Sequence, residues 1–147
     1  MTRLSATILA TLLFTSVSVL GQSDEDQIKD VINKAYIEGI HNLGPIEEID
    51  KGFHPCFTLI GLQETGTTVS LLPIYTWREN TRVAKERNPG GAPVKTECKY
   101  KMIDVTGVAA VAKIELHRDN KLIFTDYLHL YKFKDGWKIV GKIYHRH

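Results

Sequence analysis

The chain has 147 residues, of which 43% are hydrophobic and 24% charged, with a formal net charge of +2. That length fits one domain, and the apolar content excludes a disordered chain. A phosphate-binding face for nucleic acid is excluded too, because Lys85, Arg87, Lys95, Lys99 and Lys101 are interleaved with Glu86 and Glu97.

In chain order, Arg3 is followed by an uncharged, largely apolar stretch from Leu4 to Leu20 that closes with Val19-Leu20-Gly21 before Gln22. The stretch is too interrupted by Ser and Thr to serve as a membrane span of about 20 apolar residues, and Val19 and Gly21 suit signal peptidase. Residues 1–21 are therefore expected to be a signal peptide, and residues 22–147 the exported domain, periplasmic or extracellular and free of the membrane after cleavage. Loss of Arg3 lowers the net charge by one. No Cys follows the apolar run, which disfavours a lipid anchor. An oxidising compartment would permit a bridge between Cys56 and Cys98. Neither belongs to a CxxC pair, and both lie in strand-like stretches, so the expectation is two small buried or half-buried side chains.

From Ser23 onward Ile28, Val31, Ile32, Ala35, Tyr36 and Ile40 trace one face of a helix, with Asp24, Glu25 and Asp26 in its first turn. Gly44-Pro45 bars continuation, and Pro45 opens a second short helix on which Ile46, Ile49 and Phe53 are spaced three and four apart. Cys56 to Ile60 and Thr67 to Leu71 read as strands around a turn at Gln63 to Gly66. Helical spacing returns from Pro73 to Arg87, with Ile74, Trp77, Thr81 and Ala84 on one side, and stops at Asn88-Pro89-Gly90-Gly91. Strands follow at Lys95 to Val105, Val108 to His117, Leu122 to Phe133 and Trp137 to Arg146. The compact turns at residues 118–121 and 134–136 make the last three an antiparallel meander. Three helices gathered on one side of a curved, mainly antiparallel sheet give an α+β cone, a shape that can enclose a pocket.

This order, together with Tyr36-Ile37-Glu38-Gly39, Phe53-His54-Pro55, Ile103-Asp104-Val105-Thr106-Gly107, Asp126-Tyr127-Leu128-His129-Leu130 and the closing Gly136-Trp137-Lys138-Ile139, resembles the nuclear transport factor 2-like superfamily. That superfamily has a cystatin-like cone and includes ketosteroid isomerases and polyketide-cyclase-like proteins. Within it, the chain looks most similar to the putative lumazine-binding family, over nearly the whole of residues 22–147. The resemblance places Tyr36 at the tyrosine of the first helix, His129 at the oxyanion-hole aspartate and Gly61 at the general-base aspartate. The base is therefore missing. It further places Trp77, Lys142 and Tyr144 on the pocket side, so the implied site is Tyr36, Trp77, His129, Lys142 and Tyr144. Aromatic walls with a few polar groups suit a flat, polar or anionic small molecule.

Two assignments stay open at this level. In Leu122 to Phe133, alternation buries the face of Leu122, Phe124, Asp126, Leu128 and Leu130, whereas the resemblance turns His129 to the pocket. The expectation follows the resemblance, with Asp126 as the buried titratable group if the faces are reversed. Lys142 and Ile143 likewise compete for the inner face. His54 is expected to cap the second helix or stand exposed, and His145 and His147 to form an exposed tail.

There is no HExxH, GxSxG, P-loop or Rossmann glycine run, and neither a metal site nor a cofactor is implied. The leading reading is an exported, non-catalytic small-molecule-binding module, with the sheet as the surface for a homodimer. The others are a lyase, isomerase or cyclase using His129 or Asp126 as acid or base, and a protein-interaction module with a filled core.

Overall fold

The computed structural model describes residues 21–147; the expected signal peptide, apart from Gly21, lies outside the described residues. Helix α1 (Asp24–Val31) starts where the Ser23 side chain accepts the Asp26 N–H, and its acidic first turn faces the helix's positive end. It continues as a π-helical segment (Ile32–His41), then α2 (Ile46–Gly52), β1 (Phe53–Leu62), β2 (Val69–Pro73), α3 (Ile74–Arg87), β3 (Glu97–Thr106), β4 (Ala109–Arg118), β5 (Lys121–Phe133) and β6 (Gly136–Arg146). The strand order is β2-β1-β6-β5-β4-β3, antiparallel except where β1 runs parallel to β6. The expected helices, strands and terminal meander are all present in the expected order. Strand β1 starts at Phe53 and β2 ends at Pro73, each a few residues beyond the sequence expectation.

The sheet remains open and curved. Register shifts at Tyr100/Met102, Leu116/His117 and His129/Leu130 insert extra residues that bend the strands and increase their twist. The helices lie on the concave side, where Ile28, Ile32, Ile49, Phe57, Ile114, Leu116, Leu128 and Ile139 form the core. At the far end of the helical layer, Asn42 is buried and fully engaged. It accepts the Thr96 N–H at 2.7 Å and donates to the Thr96 carbonyl at 3.2 Å, tying the approach to β3 to the end of the π-helical segment.

The cysteines are both free: Cys98 is half-buried, as expected, but Cys56 is exposed. Cys56 falls on the outer side of β1 and leaves the core to Phe57. The His54 ring stacks on Phe133 at 4.6 Å and accepts the Cys56 N–H, so it is tied to strand ends rather than capping α2.

Among the described residues, no helix is long and apolar enough to cross a membrane.

Candidate functional site

The π-helical segment shapes the centre of the molecule. Its wider turn, with i→i+5 hydrogen bonds, brings residues five apart onto one side. Tyr36 and His41 meet edge to face at 4.7 Å in consequence. An α-helix would turn them well apart, which is why the α-helical spacing identifies Tyr36 but misses His41.

Opposite Tyr36 stand two residues from the central strands. Asp126 of β5 pairs across the ladder with Tyr144 of β6, and Leu128 pairs with Lys142, so Asp126 and Lys142 are diagonal neighbours on the concave face. Their side chains close into a buried triangle with Tyr36. The Tyr36 hydroxyl donates to Asp126 Oδ2 at 2.6 Å and accepts from Lys142 Nζ, while Lys142 Nζ lies 3.0 Å from the same Oδ2. Asp126 is 0% exposed and Lys142 4%. Asp126 Oδ1 has no hydrogen-bond partner among the described residues.

Burial, then the charge of Asp126 and the bond to it, raise the Tyr36 phenol well above its ordinary pKa, which keeps it a donor. Burial pushes the Lys142 ammonium down despite the opposing attraction of Asp126. Desolvation therefore outweighs attraction at Lys142, the usual balance for an ion pair taken out of water. Rings surround its charge: the centroids of Tyr36, Tyr144, Trp77 and Phe124 lie 4.8, 5.0, 5.6 and 5.8 Å from Nζ. An ammonium against the faces of several aromatic rings recovers part of the lost hydration. The backbone adapts to this cage at Gly61, where a Cβ would sit 3.1 Å from the Tyr144 hydroxyl and 2.9 Å from Ser70 Oγ.

Tyr36, Asp126, Lys142, Trp77 and Tyr144 thus come together, but as an aromatic cage occupied by the protein's own lysine. His129 does not join them. It is exposed on the opposite face of β5, opposite Gly141, and the expectation that it faces the interior is corrected. The physical reason is the alternation already present in the strand: Leu128 and Leu130 are buried on the concave side, and His129 between them must point the other way. Of the histidine tail, His145 and His147 are exposed, with His147 Nε2 3.0 Å from Thr125 Oγ1.

Two openings flank the cage. One, of about 480 Å³, lies between the end of the π-helical segment, α3 and the end of β4, and is lined by His41, Leu43, Trp77, Val94 and Arg118 among others. Trp77 and His41 are both in contact with the Tyr36 ring, Trp77 at 5.9 Å, so this opening ends one side chain from the triangle. The second, of about 700 Å³, lies beside Tyr144, Ser70 and the turn between β1 and β2. His41 and Arg118 are functional candidates that sequence reasoning did not single out. The sequence places Arg118 in a turn, and only the register of β4 brings it to the mouth.

An open, curved six-stranded sheet with the helices on its concave side is the architecture of a nuclear transport factor 2-like domain. The sequence matches the family described as "Putative lumazine-binding" over residues 23–145, and the chain belongs to that family. Among solved structures it is similar to a nuclear transport factor 2-like protein of unknown function from Shewanella baltica, with 23% identity and a TM-score of 0.65, covering 84% of this chain and 94% of the other. A second such protein, from Methylobacillus flagellatus, shares 26% identity with a TM-score of 0.61 over 84% of this chain and 92% of its own. A domain with a cystatin-like fold from Nostoc punctiforme gives 13% identity and 0.59 over 84% and 77%. No curated protein matches the chain. Family and fold together support a ligand-binding domain.

Proposed function

We propose that the chain is an exported domain that binds a flat, polar small molecule without transforming it, in the 480 Å³ opening over Trp77. The observation that carries this reading is the position of Trp77. On one side it packs on Tyr36 and the Lys142 cage, and on the other it lines an open pocket whose size falls in the usual range for small ligands, about 300–1,000 Å³. The triangle behind it serves as a rigid, charged floor. Tyr36 and Asp126 are fully buried, so a ligand meets Trp77 rather than the carboxylate. The same closure argues against acid–base chemistry, because a general base must come within hydrogen-bond reach of its substrate. Asp126 has no such access, and Gly61 supplies no carboxylate.

Native mass spectrometry of protein purified from its source tests both parts of the reading. A released small molecule and a mature mass beginning at Gln22 are expected. Retention of residues 1–21 would overturn export with cleavage, and a ligand-free protein whose Trp77 emission ignores flat heteroaromatic compounds would overturn the pocket. The outer face of the sheet, where Met102, Tyr131 and Ile143 stand exposed, is the surface a homodimer would use.

A further inference from the structure

The opening over Trp77 is lined by one formally charged residue, Arg118, and among the described residues that charge has no counter-ion. Arg118 is half-buried at the end of β4; its Nε donates to Thr96 Oγ1 at 2.9 Å and its Nη2 to His41 Nδ1 at 3.4 Å. Among the described residues no carboxylate lies within 4.0 Å of the guanidinium. Other arginines of this protein do find one: Arg78 holds Asp50, and Arg82 holds Glu79 and Glu86.

A guanidinium carries five N–H groups and accepts no hydrogen bond. Its two protein bonds go to neutral partners, so most of its donor capacity remains free. The bond to His41 also fixes the histidine tautomer. Nδ1 must accept from Arg118, which places the ring proton on Nε2, an atom without a partner among the described residues. Burial, followed by the charges of Lys142 and Arg118, lowers His41 to about 3, so at neutral pH the ring orients Arg118 and adds no charge. Lys142, against the Trp77 ring, is already matched by Asp126. The remaining wall is apolar and aromatic, chiefly Leu43, Trp77, Ala92 and Val94. Low polarity around a fixed guanidinium strengthens its attraction for an anion, and its planar fork matches a carboxylate.

We propose that this pocket selects the anion of a planar aromatic acid, with the carboxylate on Arg118 and the ring against Trp77. This rests on the pocket reading above and adds the chemical class of ligand. Isothermal titration of the purified protein with 2-naphthoate and with its neutral counterpart 2-naphthamide tests it. The acid is expected to bind about ten- to a hundredfold more tightly than the amide, the range of a charge-assisted contact. Arg118→Gln should bring the acid down to the level of the amide and leave the amide unchanged, and Trp77→Ala should weaken both. Should the Gln variant fail to fold by circular dichroism, Arg118→Lys takes its place. It keeps the charge but loses the fork, and it should lower the acid affinity several-fold without affecting the amide. Equal binding of acid and amide to the wild type, or a preference that survives Arg118→Gln or is untouched by Arg118→Lys, overturns the anion site and leaves the pocket standing. Failure of both probes to bind at about 10 mM, where sites with Kd near 1 mM are well populated, overturns the anion site and the pocket together.

Discussion

Removing Lys142 should damage the protein more than removing the whole charged triangle. Lys142 and Asp126 lie 3.0 Å apart at 4% and 0% exposure, which at an effective dielectric of about 20 corresponds to an attraction of about 5 kcal/mol. Lys142→Met deletes that attraction and leaves the Asp126 carboxylate buried with only the Tyr36 hydroxyl, and breaking a buried pair in this way costs about 3–5 kcal/mol. Adding Asp126→Leu removes the stranded charge but leaves the Tyr36 hydroxyl without its acceptor, at about 1–3 kcal/mol. The triple variant with Tyr36→Phe has no unpaired polar group and is expected at or above wild-type stability, because desolvation already outweighs attraction at Lys142. Urea unfolding followed by far-ultraviolet circular dichroism gives the four stabilities. A loss below about 1 kcal/mol for Lys142→Met, or a triple variant no better than the single, would refute the account of a closed, dry ion pair.

Two further outcomes follow from local geometry. His41 is held at about 3 in the folded protein against about 6.5 when unfolded, so below pH 6.5 the unfolded chain takes up a proton that the folded chain refuses, and stability falls as pH drops from 6.5 towards 3. Between pH 7 and 4.5 this amounts to about 2.5 kcal/mol, which His41→Gln should abolish; parallel urea midpoints for the two proteins across that range would contradict it. Gly136→Val should cost about 1–3 kcal/mol because Gly136 has φ of +117° in the β5–β6 turn, whereas Gly90 has no such constraint and Gly90→Val should cost little; equal losses in thermal unfolding would argue against the strain.

The helices and strands were legible because their spacing records which side of each element is buried. On β5 the record was better than the family resemblance. Alternation of Phe124, Asp126, Leu128 and Leu130 put Asp126 inside, and a lone carboxylate among buried leucines was the signal of a buried polar centre. Other parts of the site depend on departures from ideal geometry. The π turn that brings His41 to Tyr36 has no spacing signature, since α-helical periodicity puts Ile40 on that face instead. Regular alternation along β6 from Trp137 and Ile139 would place Gly141 and Ile143 inside and Lys142 outside. The register shift that pairs His129 with Gly141 and Leu130 with Ile139 leaves Val140 as an extra residue, and this turns Lys142 inward and Ile143 out. The order of elements and the apolar side of most of them are written in the sequence, because these depend on neighbours a few residues away. The meeting of Lys142 with Asp126 and Tyr36 depends on long-range packing, because one bulged residue reverses a strand's faces and its position is set by how strand and partner pack.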